Sequence, residues 1–91
     1  MPVLERQVTL CNKLGLHARP ATKLAILASE YQADITLIQG DKHASAASVL
    51  GLLMLGSGPG KPLLIRAEGE DAEAAMEAIC ALINARFDEN D

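Results

Sequence analysis

The sequence predicts an α+β fold, one four-stranded sheet with helices covering a single face. Three observations predict it. Hydrophobic periodicity alternates between two and three-to-four residues in the order β-α-β-β-α-β-α. The middle two strands are separated only by a Gly40-Asp41 turn signal, so part of the sheet is antiparallel. A chain of 91 residues that is 49% hydrophobic has enough apolar surface for one core, which predicts a single domain over residues 1–91. Sequence alone leaves the strand order open.

The first strand runs from Val3 to Cys11, with Leu4, Val8 and Leu10 on one face and Glu5, Gln7 and Thr9 on the other. Arg6 interrupts the inward row near the strand's start, where its long stem lets the guanidinium reach water. Asn12 and Gly15 mark a loop from Asn12 to Leu16. A helix follows from Ala18 to Glu30, with Ala21, Leu24, Ala25, Leu27 and Ala28 as its inward stripe. Pro20 belongs in the first turn, where the N–H groups have no intrahelical partner and a missing one costs nothing. This puts His17 at or beside the N-cap.

The second strand spans Ala33 to Ile38, with Ile35 and Leu37 on one face and Asp34, Thr36 and Ile38 on the other. Its hairpin partner, Lys42 to Ala46, is short and polar, as an edge strand is. Ser48 is an N-cap residue for a short helix from Val49 to Leu55, which Gly56-Ser57-Gly58-Pro59-Gly60 ends. The last strand runs from Pro62 to Glu68 and stops at Gly69. Glu70, Asp71 and Glu73 then open the final helix, where acids oppose the positive end of its dipole. Ala72, Ala75, Met76, Ile79, Leu82, Ile83 and Phe87 form its apolar stripe, and Asp88, Glu89 and Asp91 a charged tail.

Composition excludes several functions. Eight basic residues scattered among twelve acidic ones, for a net charge of −4, make no phosphate-backbone footprint. An aromatic content of 2% offers no platform for stacked bases, so no nucleic-acid partner is expected. Cys11 and Cys80 lack the spacing of metal ligands, and no metal or other cofactor is called for. The pair reads as two small buried apolar residues in a reducing compartment, although spacing alone leaves a disulfide open. Met1-Pro2 leads straight into Glu5 and Arg6 without a signal peptide, and no apolar run approaches the roughly 20 residues of a membrane span. A cytoplasmic protein without membrane insertion is expected.

The stretch Asn12 to Thr22 carries the chemistry. A helix N-terminus offers unpaired N–H donors and about half a positive charge. A phosphoryl group on His17 is stabilised there without a metal, by the backbone of Ala18 and Arg19 and by the Arg19 guanidinium. Gly15 and Ala18 leave room for a partner to close over the ring. These features suit a phosphohistidine that forms and breaks easily, a relay rather than a hydrolase. A lone histidine beside a helix start is more often a cap or a surface residue; here the combination with Arg19 and Pro20 carries the reading.

Gly15-Leu16-His17-Ala18-Arg19-Pro20-Ala21 resembles the active-site signature of the HPr family, the histidine-containing phosphocarriers of the phosphoenolpyruvate-dependent phosphotransferase system. The resemblance extends over nearly the whole chain. Ser45 to Leu52 resembles the family's second motif, and Ala67-Glu68-Gly69-Glu70-Asp71 its strand-to-last-helix junction. Asn12 to Gly15, Leu52 to Leu55 and the Phe87-Asp88-Glu89 ending look more like NPr, the nitrogen-branch type, than the sugar-branch type. The resemblance implies an open-faced β-sandwich, a four-stranded antiparallel sheet with three helices on one side. It implies that His17 is phosphorylated at Nδ1 by an enzyme I-type protein and passes the group to an enzyme IIA-type protein, with Arg19 stabilising it. A monomer is expected.

Ser48 has two readings, an N-cap and, as in some members of the family, a regulatory phosphorylation site. The short helix is apolar almost all round. With Leu52 and Leu55 in the core, Leu50, Leu53 and Met54 are left exposed, and with Leu16 and Val49 they make a partner-docking surface. The bland alternative is a helix buried on several sides. His43 reads as an ordinary exposed histidine. Two other classes compete. A small ligand-binding regulatory module leaves the His-x-Arg-Pro cluster unexplained. An acyl-carrier-like protein is a helical bundle, and Ala47 stands where its signature has an acid.

Overall fold

The four strands hydrogen-bond in the order β1-β4-β2-β3, all antiparallel, where β1 is Val3–Thr9, β2 Asp34–Gln39, β3 Lys42–Ser45 and β4 Pro62–Glu68. The structure is a computed structural model that describes residues 3–10, 16–55 and 60–88. Three helices complete it: α1 (Ala18–Ser29), α2 (Val49–Leu55) and α3 (Ala72–Asn84), with a short 3-10 turn at Arg86–Asp88. The element order is the expected one, and the open-faced antiparallel sheet implied by the family resemblance is present.

Alternation in the strands decides which face is covered. Ile35 and Leu37 on β2, Ala44 on β3, and Leu63, Ile65 and Ala67 on β4 point to one side and are buried. Leu24 of α1, Leu52 and Leu55 of α2, and Met76, Ile79 and Ile83 of α3 close over them in one connected core. Each such Leu or Ile contributes about 1.5–3 kcal/mol by leaving water. β3 is an edge strand, as its Lys42 and small residues suggest. β1 is the other edge, so Leu4 and Val8 are only half-buried. Arg6 pairs with Ile65 on the helix side, yet its side chain reaches solvent.

Several boundaries differ from the sequence expectation. β1 ends at Thr9, with Leu10 buried just beyond it, and Cys11 lies outside the described residues. The expected loops at Asn12 to Gly15 and Gly56 to Pro59, and the tail residues Glu89 to Asp91, also lie outside them. Leu27 and Leu82 are half-buried at the margin of the helix layer, whereas Cys80 is a buried free thiol. Phe87 falls beyond α3, in the 3-10 turn, yet is wholly buried in the core. The hairpin turns at Gly40, whose φ of +61° is the conformation glycine adopts without steric cost. Among the described residues no helix is long and apolar enough to cross a membrane.

The acids before α3 do something other than expected. Only Glu73 stands in the first turn. Asp71 is the N-cap residue, but its side chain does not cap the helix. Its carboxylate instead accepts the Gln32 N–H at 2.8 Å and the Ala33 N–H at 2.7 Å, pinning the end of α1 to the start of α3.

Candidate functional site

His17 is the N-cap residue of α1, in extended backbone at φ −103° and ψ −167°. Its carbonyl accepts the Ala21 N–H at 2.9 Å, the first bond of the helix. Its side chain does not cap the helix and is half-buried. Ala18 and Arg19 are the first two helical residues, whose N–H groups have no acceptor within a helix. Pro20 is the third and has no N–H to satisfy. The helix start therefore sits where Pro20 predicts, with the imidazole on the residue that faces the positive end of the dipole. Arg19 is exposed two residues on. The Thr22 hydroxyl donates to the Ala18 carbonyl at 2.8 Å, which reinforces the first turn.

Leu16 departs from its expected place. It belongs to the core at 5% exposure, so it offers no side chain to a partner. The physical reason lies in the chain path: Leu16, Pro20 and Ala21 are all buried and seat the helix start on the core, leaving His17 at the boundary with solvent. The helix α2 packs beside α1. Its Leu52 and Leu55 are buried and Val49 is half-buried, while Leu50, Leu53 and Met54 are exposed at 68%, 40% and 72%. The α2 helix thus carries an uncovered apolar face, and is not buried on several sides.

Ser48 serves as the cap. Its hydroxyl accepts the Gly51 N–H at 3.0 Å, and its carbonyl accepts the Leu52 N–H at 2.9 Å. His43 is exposed on β3, opposite Ile38. It borders a shallow depression of about 460 Å³ on the open face of the sheet, with Thr36, Lys42, Arg66 and Glu68. Groups of both charges line it, and they single out no ligand chemistry. Among the described residues no group of three His, Cys, Asp or Glu side chains could hold a metal ion.

Two contacts had no local signal in the sequence. Lys23, on the second turn of α1, donates from Nζ to the Phe87 carbonyl at 2.6 Å. Asp71 reaches Gln32 and Ala33, as described above. Each joins residues that only the fold brings together.

A one-sided antiparallel sheet, a histidine at the start of the first helix and an uncovered apolar helix beside it define a class of small histidine phosphocarriers. Comparison with known proteins agrees. Residues 4–85 match the family described as the PTS HPr component phosphorylation site. The chain is 68% identical to phosphocarrier protein NPr of Shewanella violacea, over 98% of both chains. It is 37% identical to phosphocarrier protein HPr of Cupriavidus necator, over 98% of this chain and all of the other. The crystal structure of HPr from Thermoanaerobacter tengcongensis superposes with a TM-score of 0.91 at 36% identity, covering 96% of this chain and 98% of that one. The chain belongs to the HPr family of phosphocarriers of the phosphotransferase system, and is more similar to this NPr than to this HPr.

Proposed function

We propose that the protein is a phosphoryl relay of the regulatory nitrogen branch, with His17 as the group that is phosphorylated. The observation that carries this reading is the placement of His17 on the N-cap of α1, next to the N–H groups of Ala18 and Arg19. An enzyme I-type protein, charged from phosphoenolpyruvate, presents a phosphoryl group. A bond forms from His17 Nδ1 to phosphorus as the bond to the donor breaks. An enzyme IIA-type protein then takes the group by the same exchange in reverse. Arg19 and the backbone N–H groups hold the charge in both directions. The donor and acceptor dock on the apolar face of Leu50, Leu53 and Met54 with the edge of Val49. The exchange is read as cytoplasmic and the carrier as a monomeric single domain. Ser48 is read first as a helix cap.

Incubation with phosphoenolpyruvate and an enzyme I-type protein tests the proposal. The expected product is an acid-labile, alkali-stable mass gain of one phosphate that His17→Ala abolishes. Incorporation unchanged in His17→Ala overturns the role of His17. The greater identity to NPr supports the nitrogen branch. Preferential transfer to a sugar-type enzyme IIA would overturn that part and leave the relay intact.

A further inference from the structure

We propose that Lys23 is a positioning residue for phosphoryl transfer, tying the helix that carries His17 to the C-terminal turn. This rests on His17 as the phosphoryl acceptor. The start of α1 is held locally by the Ala21 N–H on the His17 carbonyl and by the Thr22 hydroxyl on the Ala18 carbonyl. His17 makes no side-chain cap, no acid stands in the first turn, and Pro20 contributes no N–H. Tertiary contacts hold it as well. Leu16, Pro20 and Ala21 do so from below, through burial. Lys23 does so from the side, where its half-buried ammonium meets the Phe87 carbonyl at 2.6 Å.

The partner of Lys23 is a strained turn. Arg86 and Phe87 take φ of +57° and +55°, a left-handed pair without glycine. Such residues persist where their surroundings over-determine them. Here the Phe87 ring is wholly buried, and the turn packs against both α1 and α3. The helix α3 also has no basic residue in its last turn. Lys23 brings a cation from α1 to the turn just past the end of α3, where Arg86 also stands. Along α1, Lys23 stands four residues after Arg19, on the same stripe of the helix. The tie thus engages the Lys23 charge with the Phe87 carbonyl one turn from the guanidinium proposed to hold the phosphoryl group.

Lys23→Met keeps the aliphatic stem and removes the donor; Lys23→Arg restores one. In Lys23→Met the amides of Ala21 and Ala85 should exchange about tenfold faster, while those of Ile35 and Ile65 keep their protection. Phosphoryl turnover on His17 should fall about tenfold with little change in KM for the donor, and Lys23→Arg should recover most of it. Wild-type exchange at Ala21 with wild-type turnover would overturn the proposal. So would a uniform loss of protection across the sheet that Lys23→Arg leaves unrepaired, since that marks a merely structural role. If the unaltered chain takes up no phosphoryl group, the reading of His17 fails. The exchange of Ala21 and Ala85 then still decides whether the tie restrains the helix start.

Discussion

The carboxylate of Asp71 accepts the Ala33 N–H at 2.7 Å, across 38 residues of chain. With the second bond, from Gln32 N–H at 2.8 Å, it joins the turn after α1 to the turn before α3. This clamp closes the end of the helix layer at which α1 finishes. Asp71→Ala removes both acceptors and leaves two N–H groups without them. A loss of about 2–3 kcal/mol is expected, read as a lower urea midpoint with unchanged m-value.

Gly69 supports the same junction by its lack of a side chain. Its φ is +146°, and a Cβ there would stand 2.9 Å from the Ala33 Cα. That neighbour is backbone and cannot swing away. Gly69→Ala should therefore destabilise by about 2 kcal/mol or more, through strain and displacement of the Ala33 segment. Thermal denaturation measures it. An unchanged Tm would show that the junction relaxes freely.

Leu16 and Leu50 should separate seating from docking. Leu16→Ala empties a core position and should cost about 2–4 kcal/mol. Leu50→Ser changes an exposed residue and should move stability by no more than about 0.5 kcal/mol. If the α2 face receives partners, Leu50→Ser should instead weaken binding to an enzyme I-type protein, measured by calorimetry. Unchanged affinity in both Leu50→Ser and Met54→Ser would remove that face from the docking surface.

Arg19 is exposed beside the helix start and can lose its charge with little effect on the fold. Arg19→Ala should slow phosphoryl transfer about a hundredfold, the scale for losing one preorganised donor from a transition state. Arg19→Lys should fall between, because an ammonium keeps the charge but not the planar fork. Single-turnover kinetics with wild-type folding stability would check both.

Ser48→Ala tests the cap. Losing the acceptor of the Gly51 N–H should cost about 1 kcal/mol and leave phosphorylation of His17 at its wild-type extent. Loss of incorporation without loss of stability would give Ser48 a part in the transfer itself.

Much of the molecule was legible in the residues. Pro20 located the start of α1, and Ser48 the start of α2. Alternation in β2 sorted its residues onto two faces, and Lys42 with its small neighbours marked β3 as an edge. The excess apolar residues of α2 correctly left Leu50, Leu53 and Met54 outside. The burial of Leu16 was not legible, because an apolar residue in a loop carries no periodicity to say which way it faces. The Asp71 clamp was not legible, because an acid before a helix suits the dipole equally well whether or not its oxygens are engaged elsewhere.

By itself the sequence determined the elements, their order and the residue types gathered at the helix start, since turns, caps and periodicity act over a few neighbours. It also carried the family, through the motif around His17. Only the tertiary structure decided the strand order β1-β4-β2-β3, the burial of Leu16, the Asp71 clamp and the Lys23 tie to Phe87. These join groups 38 to 64 residues apart, or depend on what packs above a loop. Such contacts exist only after the sheet has chosen its neighbours, and no local pattern encodes that choice.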